Sequence, residues 1–295
     1  MRKFILFIFL IKCLFCQIDI YFTPNKKTYS KFINLLKNAE KSIYISSFSV
    51  NPDFLSFLEN KKIDIKIVCE YGGFKNGKVK IFEKNGLFHA KFIIIDGQIA
   101  IITSANLTVE HFFKNHNNFV IINDREIAKY LMRKFDSFWN NYIYAEKFNS
   151  ENIKIFFSPE NDCELFIKNE IERANSSINF ASYTFTNREI AEKLISKRNE
   201  GVEVKGIIET YNIKPYSVFY LLLSYNCNVR KSNISGFLHD KFFIFDKERI
   251  ITGSFNPTKK AKENIEILLF IKDKKIAEKF YNEWRSLYLF KSLSD

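Results

Sequence analysis

Two segments of the sequence carry the same pattern of residues, HAKFIIID at residues 89–96 and HDKFFIFD at residues 239–246. A Ser and an Asn follow at the same distance in both copies, as Ser104 and Asn106 in the first and as Ser254 and Asn256 in the second. Because the chain has only four histidines in 295 residues, the recurrence of five residue types at identical spacing is not a coincidence. The two segments therefore indicate an internal repeat.

Further matches extend the repeat over most of the chain, and they occur in the same order in both halves. The matching pairs are residues 42–48 with 177–183, residues 65–70 with 204–209, and the F-x-x-x-W spacing at Phe135 with that at Phe280. The boundary is predicted near residues 146–152. This gives a first repeat at residues 17–148 and a second repeat at residues 149–295.

Each half is predicted to alternate helices and strands. Early helices are expected at residues 29–41 and 162–174, and closing helices at residues 124–140 and 273–288. The closing helices have apolar residues at three- and four-residue spacing, which is typical of a face packed in a core. The alternation indicates an α/β fold with a mixed sheet flanked by helices in each half. We expect the halves to pack face to face about a pseudo-two-fold axis, with equivalent loops meeting between them.

The chemistry of the repeated segments suits a phosphate group. A His and a Lys two residues apart on a strand point to the same face of the sheet. The apolar runs at residues 92–95 and 242–245 predict strands that are buried on both faces. The following Ser and Asn would return beside the His and Lys on the paired strand. Each half then offers an imidazole, a positive charge, and hydroxyl and amide donors.

Two such sets facing each other would cleave a phosphodiester. One neutral imidazole attacks phosphorus to form a phosphohistidine, the other protonates the leaving oxygen, and activated water then releases the phosphate. Lys91 and Lys241, aided by the serines and asparagines, would neutralise the charge of the transition state. This mechanism requires no metal and no other cofactor. Cys69, Cys163 and Cys227 lack the C-x-x-C spacing of a zinc site.

The motif H-x-K-x4-D-x6-G-S-x-N, present twice, resembles the paired motif of the phospholipase D superfamily. The resemblance covers nearly the whole chain after residue 16, and Thr103 departs from it by standing where the motif has Gly. It implies an active site at the interface of the repeats, built from His89, Lys91, Asn106, His239, Lys241 and Asn256. It also implies structural roles for Asp96 and Asp246.

Members of this superfamily also tend to have a Glu at the start of the strand after the motif, hydrogen-bonded to the nearby His. The corresponding residues are Asn117 in the first repeat and Glu266 in the second. We therefore expect Glu266 to orient His239. The resemblance makes His89 the nucleophile and His239 the acid, but a carboxylate beside His239 would raise its basicity. Which histidine is the nucleophile therefore stays open at this point.

Two histidines and several aromatic residues lie near the expected site. His111 and His116 follow the first motif and are expected at the surface or the rim. Some aromatic residues near the expected mouth would form a rim that contacts lipid or stacks on bases, although each one taken singly is predicted to be a core residue. They are Phe74, Phe88, Tyr211, Tyr216, Phe219, Tyr220 and Phe237. The segment at residues 211–225 has no counterpart in the first repeat.

The formal net charge of +12 favours polyanionic partners. A phospholipid membrane surface and nucleic acid both fit this charge, and no obligate protein partner is indicated. The expected activity is hydrolysis of phospholipid phosphodiesters, and the alternative is a nonspecific endonuclease with the same mechanism.

Residues 1–16 have the layout of a signal peptide, with Arg2 and Lys3 before an apolar stretch that only Lys12 interrupts. The stretch is shorter than the roughly 20 residues that a bilayer span requires. It predicts export to the periplasm or the medium, and the alternative is a buried first element of the fold. Export favours lipid as substrate, because an exported enzyme is always close to a membrane.

Overall fold

A computed structural model describes residues 16–74, 78–82, 86–142, 144–215 and 217–290. The predicted signal peptide at residues 1–16 lies outside this part of the chain except for Cys16, which packs against the core. Its existence and the predicted export therefore stay predictions. Among the described residues, no helix has both the length and the apolar character that a bilayer crossing requires.

The described residues of the first half form one mixed sheet. Its strands in chain order are β1 (Gln17–Thr23), β2 (Ser42–Val50), β3 (Asp64–Gly72), β4 (Lys78–Ile81), β5 (Phe92–Ile95), β6 (Ile99–Thr103) and β7 (Asn117–Asn123). Their order across the sheet is β1-β7-β6-β5-β2-β3-β4. The strands β2, β3 and β4 are parallel to one another, and the other neighbours are antiparallel.

The second half repeats this arrangement. Its strands are β8 (Phe148–Asn149), β9 (Ile153–Ser158), β10 (Ser177–Ser182), β11 (Glu203–Ile208), β12 (Asn228–Lys231), β13 (Lys241–Phe245), β14 (Arg249–Gly253) and β15 (Glu266–Lys272). Their order is β12-β11-β10-β13-β14-β15-β9-β8, and again three neighbouring strands, β10, β11 and β12, are parallel. The two sheets confirm the predicted α/β fold of two pseudo-symmetric repeats.

Helices cover the sheets. The α-helices are α1 (Lys26–Lys37), α2 (Val109–Phe113), α3 (Arg125–Asn140), α4 (Cys163–Glu172), α5 (Arg188–Asn199), α6 (Phe219–Ser224) and α7 (Lys274–Leu289). Short 3-10 helices occur at Pro52–Leu58, Thr210–Asn212 and Lys259–Lys262. The closing helices α3 and α7 begin after Asp124 and Asp273, whose side chains accept backbone N–H hydrogen bonds from the first turn.

The central core lies between the two sheets and contains both closing helices. The apolar residues predicted on the buried faces of these helices are all buried, namely Ile127, Leu131, Phe135, Phe138, Ile276, Phe280, Trp284 and Leu287. Strands β5 and β13 are buried along their whole length, as their apolar sequences predict. Two further cores cover the outer faces of the sheets, under α1 and α2 in the first half and under α4, α5 and α6 in the second.

The sequence did not predict every element. It missed β1 and β9, which precede the first helix of each half, and the first-half counterpart of α5 is the 3-10 helix at Pro52–Leu58. The early helices also begin and end at other residues than expected: α1 at Lys26–Lys37 and α4 at Cys163–Glu172. The exact boundary between the repeats stays a prediction.

Two equivalent contacts join the halves. Phe88 pairs with Ile265 and His116 pairs with Leu238, each as an isolated parallel bridge. In both contacts, the residue before a motif histidine pairs with the residue before the last strand of the other half. The pseudo-two-fold arrangement therefore brings the two motif segments to one interface.

Candidate active site

Each motif histidine lies just outside its strand and is held by the opposite half. The backbone N–H of His89 donates to the carbonyl of Ile265 at 2.8 Å, and the N–H of His239 donates to the carbonyl of His116 at 2.9 Å. The expectation that His and Lys share a strand is therefore wrong, because the backbone at the histidine leaves its own sheet to pair with the other half.

Two glutamates anchor the same segments within their own half. Glu70 accepts a hydrogen bond from the N–H of Phe88 at 2.8 Å, and Glu209 accepts one from the N–H of Leu238 at 2.7 Å. From the sequence these glutamates were recognised only as matching positions of the repeat, without a role. One feature of the sequence could have indicated their role: in both copies an acidic residue ends an apolar strand. A charge without a partner is energetically costly at such a place.

The side-chain partners of the two histidines are exchanged between the halves. Nδ1 of His89 lies 2.7 Å from Oε2 of Glu266, and Nδ1 of His239 lies 2.9 Å from Oδ1 of Asn117. The expectation that Glu266 orients His239 is therefore wrong. The reason is that the last strand of each half begins at the interface, beside the motif segment of the other half. The two histidines thus differ in charge environment, with a carboxylate at one ring and an amide at the other.

Ser104 and Ser254 lie behind these partners and are fully buried. The hydroxyl of Ser254 donates to Oε2 of Glu266, and that of Ser104 donates to Oδ1 of Asn117 at 3.3 Å. The expectation that the two serines would contact the phosphate therefore does not match their hydrogen bonds. Their contacts instead fix the groups that orient the histidines.

Lys91 and Lys241 are equivalent and almost completely buried. Each ammonium group donates to the carbonyl of the histidine two residues earlier, at 2.8 Å in Lys91. The Nζ atom of Lys91 lies 5.5 Å from the ring centre of Phe48, and that of Lys241 lies 4.9 Å from the ring centre of Tyr183. Hydrogen bonds and ring contacts thus hold the two lysines in place. Neither forms a salt bridge among the described residues, although the charge of Glu266 raises the pKa of both.

Burial lowers the pKa of both lysines and both histidines, and neighbouring cations lower that of Lys91, His89 and His239 further. Burial lowers the pKa of Lys241 to about 7 and lowers that of Lys91 well below its usual value. Burial, followed by the nearby cation Lys241, lowers the pKa of His239 well below 6.5. Burial also lowers the pKa of His89, although Glu266 opposes this effect. Lys91 lowers the pKa of His239 and Lys241 lowers that of His89, so the two sets share one electrostatic environment.

The two asparagines and His111 complete the site. Oδ1 of Asn106 and Oδ1 of Asn256 are both buried without a hydrogen-bond partner. The amide of Asn106 lies 3.2 Å from Nε2 of His111, whose ring centre is 4.6 Å from that of His239. His111 is only 9% exposed, so the expectation that it lies at the surface or rim is wrong. His116 is partly buried and lines a separate cavity of about 350 Å³ with Glu283 and Leu287.

Asp96 and Asp246 have the structural role that the resemblance implied. Asp96 accepts hydrogen bonds from the backbone N–H groups of residues 40–42, and Asp246 accepts them from residues 175–177. These bonds fix the start of β2 and β10. Burial alone would raise the pKa of Asp96, but the backbone N–H groups outweigh it and hold the pKa below 3.8.

Replacing Asp96 with Ala should lower the free energy of unfolding by about 2 kcal/mol, because backbone donors lose a charged acceptor. The pKa of Asp96 is lowered in the folded state, so its contribution is present above the unfolded pKa of 3.8 and is lost as the pH falls through the folded value. Urea unfolding of both proteins from pH 7 to pH 3 should show the difference shrinking only below about pH 4. Asp53→Ala, which removes an exposed carboxylate, is the control. A difference that stays constant down to pH 3 would contradict this role for the charge.

A family model described as cardiolipin synthase, PLD-like domain, matches residues 32–139 and 167–288, which is one match in each half. The two matches together cover most of the chain. The chain belongs to the phospholipase D superfamily. As a member of this superfamily it is a phosphodiesterase, and the resemblance of the paired motif is confirmed.

Two sequence relatives within the superfamily each match half of this chain or less. Phospholipase D of Rickettsia prowazekii is 34% identical over 148 residues, which are 50% of this chain and 72% of the relative. Mitochondrial cardiolipin hydrolase of Xenopus tropicalis is 30% identical over 130 residues, which are 39% of this chain and 62% of the relative. The structure of phosphatidylserine synthase from Haemophilus influenzae has a TM-score of 0.65, 13% identity, and coverage of 91% of this chain and 86% of its own. That last similarity is one of fold.

Of the seven aromatic residues considered for the mouth of this phospholipase D-like site, the six that the structure describes fall into two groups. Phe74, Phe88 and Phe219 are buried and belong to the cores, and Tyr216 lies outside the described residues. Tyr211, Tyr220 and Phe237 are exposed. Three rim residues were not predicted from the sequence: Tyr71 packs against Phe48, Phe48 packs against His89, and Tyr183 packs against His239.

Within the part of the chain that the structure describes, no three His, Cys, Asp or Glu side chains are grouped as a metal site would need. The cysteines Cys16, Cys69, Cys163 and Cys227 are free.

Proposed function

We propose that this protein hydrolyses the phosphodiester bonds of phospholipids, with His89 as nucleophile and His239 as general acid and base. The observation that carries the proposal is the unequal pairing of the two rings. His89 has a carboxylate at Nδ1, whereas His239 has an amide oxygen. Each partner holds a proton on Nδ1, so Nε2 is the nitrogen available to the substrate.

The first step forms a bond between Nε2 of His89 and phosphorus while the bond from phosphorus to the leaving oxygen breaks. His239 gives a proton to that oxygen as it leaves. The phosphorylated imidazole of His89 is a cation, and the carboxylate of Glu266 beside it compensates the new charge. An amide could not do this equally well, which favours His89 over His239 as the nucleophile.

The second step returns the enzyme to its starting state. His239 accepts a proton from water, the water oxygen attacks phosphorus, and the bond to Nε2 of His89 breaks. The product is a phosphate monoester, and His239 again carries the proton for the next leaving group. Lys91 and Lys241 compensate the charge that builds on the non-bridging oxygens in both steps.

Substrate binding raises the pKa of His239, so that its ring takes up a proton from the solvent. In the empty site, burial and neighbouring cations lower the pKa of His239, so the ring is neutral near pH 7. A phosphodiester brings a negative charge next to the ring and next to both lysines, which raises the pKa of each of these groups. Binding of the diester is therefore coupled to proton uptake by His239.

The surface around the site supports a lipid substrate. Exposed apolar side chains lie on both sides of the two histidines: Tyr71 and Leu87 in the first half, Tyr211 and Phe237 in the second. In each half an aromatic ring joins this rim to the imidazole, Phe48 at His89 and Tyr183 at His239. A cationic phosphate site surrounded by an apolar rim suits an amphiphile, whose phosphate would bind in the site while its apolar part contacts the rim. The names of the relatives, phospholipase D and cardiolipin hydrolase, agree with this choice.

Nonspecific cleavage of nucleic acid is the second candidate. The net charge of +12 supports it, because a polyanion is attracted to a basic surface whatever its sequence. Exposed aromatic residues such as Tyr211 and Phe237 would then stack on unpaired bases. The reaction at phosphorus would be the same.

In EDTA, the protein should release headgroups from phosphatidylcholine or cardiolipin vesicles and leave single- and double-stranded DNA intact. The lysine ammonium groups supply the positive charge, so chelation should not lower the rate. Headgroup release by phosphorus NMR and strand cleavage on gels measure the two activities side by side, with His89→Ala protein as the control for contaminating enzymes. Strand cleavage without headgroup release would support the nuclease, and activity that needs an added divalent cation would contradict the metal-independent mechanism.

A further inference from the structure

His111 is a third imidazole in the site, and the repeat does not explain it. It lies in α2, five residues after Asn106, and the residue five after Asn256 is Ala261. Its ring is buried and meets the ring of His239 at 4.6 Å with an angle of 78° between the planes. His111 has no role in the proposed two-step hydrolysis. The first repeat thus has a buried polar ring where the second repeat has none, so contacts within the first repeat must explain it.

The amide of Asn117 fixes the surroundings of His111. Its Nδ2 lies among three acceptors, Oγ1 of Thr23 and the carbonyls of His111 and Asn115, at 3.0–3.2 Å. The nitrogen end of the amide therefore cannot face His239, and Oδ1 must. Nδ1 of His111 lies 3.4 Å from the same Oδ1, which is too long for a strong hydrogen bond.

The shorter contact of His111 is with Asn106. Nε2 of His111 lies 3.2 Å from the Asn106 amide, while the carbonyl oxygen of that amide is buried with no partner. The two ends of an asparagine amide have the same shape, so hydrogen bonding decides which end faces which neighbour. A neutral imidazole has one donor and one acceptor nitrogen. Burial keeps His111 neutral by lowering its pKa to about 3.

The tautomer of His111 therefore decides what Asn106 presents to a phosphate. With the proton on Nδ1, Nε2 accepts from the Asn106 NH2 group, and the amide oxygen is left unpartnered in the site, where it repels an anion. With the proton on Nε2, the ring donates to the amide oxygen. The Asn106 NH2 group is then free to donate to a non-bridging phosphate oxygen, and the amide oxygen has a partner, while Nδ1 of His111 gives up only its long 3.4 Å contact with Oδ1 of Asn117.

We propose that His111 is a positioning residue that donates from Nε2 to the carbonyl oxygen of Asn106 and so turns the amide NH2 group toward the bound phosphate. This inference rests on the proposed phosphodiesterase site and adds a residue to it. It gives the first half a preset amide donor, whereas Asn256, with Ala261 in the equivalent place, has no such neighbour. The site is therefore asymmetric in its amides as well as in its histidines.

Substitutions at His111 test this inference through side-chain geometry. The amide nitrogen of Gln is as many bonds from Cβ as Nε2 of His, and that of Asn is as many as Nδ1. His111→Gln should therefore bind inorganic phosphate within about threefold of the wild type, while His111→Asn and His111→Ala should bind it about 10-fold more weakly, the effect of one hydrogen bond to a charged group. Calorimetry with phosphate, without turnover, measures all four proteins. Melting temperatures report whether each variant is folded.

A double-mutant cycle separates positioning from a merely structural role. Asn106→Ala should weaken phosphate binding about as much as His111→Ala, and the double variant should lose little more than either single one. Additive losses, or a His111→Gln protein as weak as His111→Ala, would overturn the inference. So would a wild-type protein that binds no phosphate. Because the cycle uses binding alone, failure of the proposed hydrolysis in the wild-type protein is read separately, from the vesicle assay.

Discussion

The His239→Ala protein should attack an activated phosphodiester once and then stall. With bis(p-nitrophenyl) phosphate the leaving group is a weakly basic phenolate, which departs without a proton, so the first step does not need His239. The second step does, because no group remains to take a proton from the attacking water. We expect a burst of about one p-nitrophenolate per enzyme molecule, followed by turnover on the order of 10³-fold slower than in the wild type.

The stalled protein should carry the phosphoryl group on His89. Intact-mass and peptide spectra of His239→Ala after mixing should show this adduct, kept at neutral or alkaline pH because phosphohistidines hydrolyse in acid. His89→Ala should show neither adduct nor burst, and its turnover should fall on the order of 10⁴-fold. His116→Gln is the matched control, since that histidine lines the separate cavity beside Glu283. A burst from His89→Ala with an adduct on His239 would reverse the assignment of the two rings.

The sequence predicted the parts of this site that depend on local pattern. The spacing from His89 to Asn106 and from His239 to Asn256 identified both repeats, because each motif is one continuous stretch of chain. The closing helices were predicted for the same reason, since their apolar spacing reflects burial of one helix face. Asp96 and Asp246 contact neighbours within their own half, where the repeat makes the same prediction twice.

The errors concern contacts that cross between the halves. Glu266 and His239 belong to the same repeat. The sequence spacing between them is the same whether the carboxylate contacts the histidine of its own half or that of the other half. Only the position of β15 at the interface decides that it meets His89. His111 was expected at the surface because it follows a loop motif, but the short helix α2 packs it against His239. Phe74 and Phe88, candidates for the rim as a group, are core residues, as was predicted for each of these aromatic residues taken singly.

The exchange of partners between the halves has a signature in the pH profile. In kcat, which reports the enzyme–substrate complex, the acid limb belongs to the nucleophile, which must be neutral, and the alkaline limb belongs to the acid, which has taken up its proton on substrate binding. Burial lowers the pKa of His89, and the charge of Glu266 opposes this. Glu266→Gln removes that charge, so the pKa of His89 should fall further and the acid limb should move to lower pH. The alkaline limb, which belongs to His239, should stay in place.

The same substitution should lower the maximal rate by about 10²-fold, which corresponds to about 2.7 kcal/mol of transition-state stabilisation. The cause is that the phosphorylated imidazole loses the carboxylate that compensates its charge. Asn117→Glu is the complementary variant, since it places a carboxylate at Nδ1 of His239. There the pKa of His239 should rise, and the alkaline limb should move to higher pH.

Together the two variants decide whether Glu266 and Asn117 each orient the histidine of the other repeat or that of their own. If Glu266 served the histidine of its own repeat, Glu266→Gln would move the alkaline limb and Asn117→Glu the acid limb, the reverse of the expected result. Glu189→Gln, on the exposed surface of α5, controls for the change in net charge and should move neither limb. The nucleophile then follows from which ring the natural carboxylate serves. A carboxylate lowers the energy of a phosphorylated imidazolium but makes a protonated ring a weaker acid, so one carboxylate and one amide suit a pair of histidines with different tasks.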